Sequence, residues 1–164
     1  MIIIPHFANS IRTQSEIDKL MSLLYNDKTI YGSWNFDVNP SHYEPDIHDL
    51  ELVLRNYIDY INDNKKSEIY CFRIACIASS IKASLNLEGM VHLIRIVYMH
   101  YRNFRVIYCI YRKGSYLILE FYIIPYELST GDICKFYTDR EWGEMLKISD
   151  RIFENQIKKR SEDK

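Results

Sequence analysis

Gly89 to Pro125 reads GMVHLIRIVYMHYRNFRVIYCIYRKGSYLILEFYIIP, and the reading of this stretch decides the fold. Most of its positions are β-branched or aromatic, side chains that suit a pleated surface and lose rotamer freedom in a helix. Two short breaks divide it. Arg102-Asn103 carries an Asn that tolerates the positive φ of a tight hairpin, and Lys113-Gly114 carries a Gly that supplies the same freedom. The stretch is therefore expected to form three consecutive antiparallel strands, with Tyr101 opposite Phe104 and Arg112 opposite Ser115.

That register sorts the side chains onto two faces. Val97, Met99, Val106, Tyr108, Ile110, Leu117, Leu119 and Phe121 share the face expected to lie against helices. The opposite face gathers Ile96, Tyr98, His100, Arg105, Ile107, Cys109, Tyr111, Tyr116, Ile118, Glu120 and Tyr122. It places His100, Arg105 and Tyr122 in one cross-strand row and Tyr98, Ile107 and Glu120 in the next. Tyr and Arg dominate binding hot spots, so this second face is the first candidate surface for recognition. Ordinary cross-strand packing would put the same residues there.

Working outward, the flanks read mostly as helix. Ser15 with Asp18 resembles a capping box opening a helix through about Tyr25, with Ile17, Leu20, Met21 and Leu24 on its inner side. A second helix runs from Asp46 to about Asp63 on a stripe of Ile47, Leu50, Leu54, Tyr57, Ile58 and Ile61. Ser67 caps a third through about Leu85, although its β-branched content leaves a strand open for part of it. Met1 to Ile4 is a short strand ended by Pro5. Ile133 to Tyr137 is a candidate edge strand. Thr138 with Glu141 then caps a last helix over about 139–158.

Lys28 to Pro45 is the longest irregular stretch, and its Trp34 and Phe36 either insert into a partner or fold back to cap the core. The following His42, Glu44, Asp46, His48 and Asp49 match no metal-ligand spacing, and the carboxylates are explained by the helix start. The expected architecture is α+β in a single domain, 1–164. An antiparallel sheet of 3–5 strands spans about 90–137, with hairpins within 90–124. Helices (about 15–87 and 139–158) pack mainly on one face.

Composition narrows the function classes. The 164 residues hold 48% hydrophobic and 26% charged side chains, ordinary for a globular chain, but 14 tyrosines. Abundant Tyr, Ile, Asn and Lys hint at an AT-rich genome. Net charge is −1, with no clustered Lys/Arg footprint, which disfavours nucleic acid or ribosome as partner. Cys71, Cys76, Cys109 and Cys134 form no CxxC pair and sit in apolar runs, as reduced thiols of a cytoplasmic protein do. No run has the length of a transmembrane helix. Neither a glycine-rich phosphate loop, nor GxSxG, nor HExxH is present, so no cofactor, metal or catalytic residue is assigned, and the residues favour a non-enzyme without deciding it.

The text FRVIYCIYRKGSYLILEFY (residues 104–122) resembles the second half of the RelE/ParE-type toxins, which place two helices before a basic antiparallel sheet. The resemblance covers about twenty residues of a generic strand pattern. It implies cleavage of ribosome-bound messenger RNA or gyrase inhibition, and it points to Arg102, Arg105 and Arg112. The near-neutral charge, longer chain and extra helices depart from that family.

Three functions follow as expectations. The first is a protein-binding module such as an immunity protein or inhibitor, using Trp34, Phe36, Tyr98, His100, Arg105, Glu120 and Tyr122. The second is a ribosome-directed or RNA-cleaving toxin. The third is a structural or accessory subunit of a viral or ribosome-associated assembly.

Overall fold

A computed structural model describes residues 4–6, 11–36, 46–64, 71–79 and 83–131, with scattered helical positions between 143 and 162. The expected edge strand at 133–137, Cys134 and the Thr138/Glu141 cap lie outside the described residues, as do His42 and Glu44.

The elements run β1 (Ile4–His6), α1 (Gln14–Leu24), β2 (Ile30–Trp34), α2 (Ile47–Asp63), β3 (Phe72–Ser79), α3 (Ala83–Tyr101), β4 (Arg105–Lys113) and β5 (Tyr116–Ile124). The fold is α+β around one five-stranded antiparallel sheet of order β1-β3-β5-β4-β2. Its centre is β5, buried along nearly its whole length.

The expected first strand of the Gly89–Pro125 stretch is instead the second half of α3. Its buried positions, Asn86, Met90, Leu93, Val97 and Tyr101, recur every three to four residues, the period of a helix. The helix also draws on Ala83 to Glu88, taken from the sequence as the end of another helix and a break. Gly89 costs such a helix only about 1 kcal/mol relative to Ala, which its packing outweighs.

The opposite error occurs at residues 72–79, expected as helix and found as the strand between β1 and β5. Phe72 to Ser79 faces Ile123 to Tyr116 in continuous register. Both faces of this strand are covered, so its text is a continuous apolar run rather than an alternating one.

The hairpin expected at 105–124 is present, with its turn one residue later. Lys113 pairs with Tyr116, and Gly114-Ser115 form the loop with Gly114 at φ 58°. This moves every cross-strand partner by two residues, so the face assignments survive while the rows do not. Arg105 faces Ile124 rather than Tyr122, and Glu120 faces Cys109 rather than Ile107.

Within the stretch read as irregular, Ile30–Trp34 is an edge strand on β4. Pro5 does not end β1 but pairs with Cys76 inside it, as an edge strand allows because proline needs no ladder hydrogen bond on its outer side. Helix α1 starts two residues early: Thr13 is the N-cap, in a capping box with Glu16 rather than the expected Ser15 and Asp18. Helix α2 begins as expected, with Asp46 as N-cap and Asp49 completing the box.

Three layers result. The even-numbered face of β4, with Leu119, Phe121 and Ile123 of β5 and Ile74, Cys76 and Ala78 of β3, packs against Met90, Leu93, Val97 and Tyr101 of α3. This is the face assigned to helices from the sequence, now covered by what had been a strand. The other face, with Ile107, Cys109, Tyr122 and Ile124, is roofed by α1 and α2 through Ile17, Leu20, Leu24, Leu50, Leu54 and Ile58. Of the three helices α1 to α3, two thus share one face, and it is the tyrosine-bearing one. An Arg55 clasp holds them together, bonding Asp18 at 2.5 Å, Glu51 at 2.9 Å and Gln14 at 2.9 Å.

Candidate functional site

The seven residues singled out from the sequence divide between two faces of the molecule. Trp34 ends β2 on the α3 side. Its indole Nε1 donates to the Tyr101 carbonyl at 3.0 Å, and its ring meets Tyr98 edge-on at 5.3 Å between centroids. Tyr98 is half exposed. His100 is exposed on the same helix but projects roughly 200° around the axis from Tyr98, at about 100° per residue, so the two share no row. Arg105, at the start of β4, donates from Nε to the Asn35 carbonyl at 3.2 Å and is half-buried.

Phe36, expected as a partner anchor, is instead buried at 1% exposure among α1 and α2 side chains. The fold-back reading of the 28–45 aromatics therefore holds for Trp34 and Phe36. Glu120 and Tyr122 are likewise not on an open surface: they are 2% and 4% exposed, because α1 covers the face that the sequence left to solvent.

Their burial creates a polar constellation. Glu120 Oε1 accepts from Arg73 Nη2 and from the Tyr111 hydroxyl at 2.9 Å, while Oε2 accepts from the Tyr122 hydroxyl. Strand register brings these groups together: Cys109 opposes Glu120, so Tyr111 and Tyr122 flank it on one face, and Arg73 reaches across from β3 opposite Tyr122. A buried carboxylate with three donors is satisfied. Burial, reinforced by the Glu120 charge, pushes both tyrosine hydroxyls well above the ordinary range. They hold their protons and donate them to Glu120. Burial opposes the charge of Arg73, but the hydrogen bond and charge of Glu120 outweigh it and raise the guanidinium above its ordinary value.

One donor is left over. Arg73 Nε is buried and meets no acceptor among the described residues, a deficit worth about 1–3 kcal/mol. Arg73, Tyr111, Glu120 and Tyr122 also line, with Ile11, Glu16, Lys19, Leu20 and Leu23, a cavity of about 250 Å³ between α1 and the sheet, although Nε itself is covered. Sequence reasoning placed Tyr111 on this face without singling it out, and it missed Arg73 and Lys19. The available signal was a lone cation in CFRIACIAS and a lone acid in YLILEFYII: opposite single charges inside two apolar strands, which low-dielectric burial forces to pair.

The second candidate surface is the outer face of α3. Val91, Arg95, Tyr98, Met99 and Arg102 follow one another at helical spacing and are all exposed, Met99 at 74%. Arg95 and Arg102 are the cations on this strip, and Glu88 lies on the same helix one turn before Val91. No described helix is long and apolar enough to cross a membrane. Compared with known protein families, with curated proteins and with solved structures, the chain matches none.

Proposed function

We propose that the chain is a protein-binding module of the immunity-protein or inhibitor kind, and that it docks an acidic protein surface with the outer face of α3. The observation that supports this reading is the exposed strip of Val91, Tyr98 and Met99, interrupted by Arg95 and followed by Arg102, with Tyr98 meeting the Trp34 ring. Tyr, Met and Arg are enriched at interface centres, and an exposed apolar strip on a folded domain marks contact surfaces. Arg95 and Arg102 select partners by charge, acting mainly on association rate and specificity.

The test is capture with the tagged chain from host cells, followed by titration of the captured protein against variants. Tyr98→Ala, Met99→Ala and Arg95→Glu are expected to weaken binding at least about tenfold, as central anchors do, with the melting temperature unchanged. Wild-type affinity in all three would overturn this docking face. Capture of RNA or ribosomes, with loss on Arg102→Ala, would instead favour the ribosome-directed toxin.

A further inference from the structure

We infer that the cleft at the open end of β2 binds a free single-chain amphiphile with an anionic head, of the fatty-acid kind. The site lies at the sheet edge beside Leu87 of α3 and uses none of Val91, Tyr98 or Met99, so it stands apart from the proposed docking face.

Unequal strand lengths make the cleft. β2 pairs with β4 only as far as Ile30 opposite Ile110, whereas β4 continues through Tyr111 and Arg112 to Lys113. The hairpin therefore projects past β2 and leaves a step in the sheet edge. Ile110, Arg112 and Leu117 share the α3-facing side of that step, since Arg112 opposes Leu117 and lies two residues from Ile110. Leu87 of α3 and Ile30 of β2 complete the apolar lining. The cleft so bounded holds about 460 Å³, within the roughly 300–1,000 Å³ of small-ligand sites.

The lining has two characters. Ile30, Leu87, Ile110 and Leu117 are aliphatic, and Tyr111, whose hydroxyl is bonded to Glu120, adds ring surface. Lys28 and Arg112 are exposed cations, and no acidic residue stands among the described residues that line the cleft. The ion pairs among the described residues engage Arg55 and Arg73, so Lys28 and Arg112 keep their charges unspent. Two cations facing no carboxylate favour an anion, and the aliphatic floor favours hydrocarbon behind it. A molecule meets both demands when its charge is confined to one end. Of the four aliphatic side chains only Ile30 stands out into solvent, at 53% exposure, while Ile110 and Leu117 are recessed at 3% and 9%. A recessed floor encloses a single chain, whereas insertion into a bilayer needs apolar groups that project together.

Octanoate, kept below the concentration at which it forms micelles, is the probe. Octylammonium serves as the cation of the same length and butyrate as the shorter acid. Amide NMR of the whole chain is expected to show octanoate shifting resonances of Lys28, Ile30, Leu87, Ile110 and Arg112, and octylammonium leaving them unmoved. Butyrate, four methylenes shorter, should bind at least about tenfold more weakly, since each fully buried methylene is worth roughly fourfold. Changing both exposed cations, Lys28→Gln with Arg112→Gln, is expected to weaken octanoate about fivefold with the melting temperature unchanged. Ile30→Thr, which keeps a β-branched side chain on the strand, should weaken it as well, and Tyr98→Ala should leave it as in wild type. The assignment is overturned if octanoate moves no resonance of the cleft, if octylammonium or butyrate binds equally well, or if affinity is indifferent to the cation changes or to Ile30→Thr. Sedimentation of the chain with phosphatidylglycerol vesicles, while octanoate leaves the cleft unmoved, would likewise overturn it in favour of a membrane surface.

Discussion

Asn35 takes φ 63°, a left-handed conformation that side chains other than Asn, Asp and Gly rarely adopt. Its amide spans two carbonyls, Arg102 at 2.6 Å and Phe104 at 2.8 Å, so one side chain pins the end of β2 to the turn between α3 and β4. Two costs can be separated there. Asn35→Gly keeps the backbone relaxed and loses both bonds, which predicts a loss of about 1–2 kcal/mol. Asn35→Ala adds the strain of an L-residue at positive φ, so it is expected to be the worse by about another 1 kcal/mol. Urea unfolding of both variants checks this, and equal stability of the two would refute the strain component.

Among the elements, α1 and α2 are joined by side chains as well as by apolar packing. Arg55 on α2 reaches Asp18 and Gln14 on α1 while also bonding Glu51 one turn back. Arg55 and Glu51 are each about 30% exposed, so solvent screens the network. Arg55→Met is expected to cost about 1 kcal/mol, and to lose most of that difference in 1 M salt. Thermal melts at low and high salt measure both.

These two helices were legible because their buried residues lie on one stripe and their caps are carboxylates or hydroxyls. For α1 only the cap slipped, from Thr13 to Ser15. Helix α3 was not legible as a helix because Ile94, Ile96, Val97 and Tyr98 satisfy strand propensity, while strict alternation and helical spacing both fit so apolar a text. Strand β3 was misread for the matching reason: a strand covered on both faces loses the alternation that identifies it. The β4–β5 hairpin was readable because Gly114 punctuates it. The candidate site was only half readable: Glu120 and Tyr122 were singled out, but their setting depends on α1 roofing the sheet, a tertiary fact. Tyr98, picked as a member of a sheet face, and Trp34, picked from the irregular stretch, meet across a helix and a strand instead.

At the scale of the molecule, titration of buried groups sets a stability limit. Burial pushes the thiols of Cys71 and Cys76 from the ordinary 9.0 up to about 12 and raises Cys109 as well. The unfolded chain releases these protons first. Stability is therefore complete below about pH 9 and falls as pH rises toward about 12, by up to about 1.4 kcal/mol per unit for each thiol. Denaturant midpoints at pH 8 and 10.5 are expected to differ accordingly, and a flat profile would contradict the burial of these groups. Iodoacetamide at pH 8 should add at most one label to the native chain, at Cys134, and four after unfolding.

The sheet order β1-β3-β5-β4-β2 also sets a timetable. Both edge strands of the described sheet, β1 and β2, precede in sequence the strands they join, β3 and β4, which emerge later from the ribosome. Between synthesis of Trp34 and of Lys113 pass on the order of ten seconds, at typical elongation rates. Throughout that interval two strands exist without a sheet. Pro5 in one and Gly32-Ser33 in the other make both poor at pairing by themselves, which keeps a nascent chain from closing on the wrong neighbour. Each edge strand must therefore wait for a partner made after it.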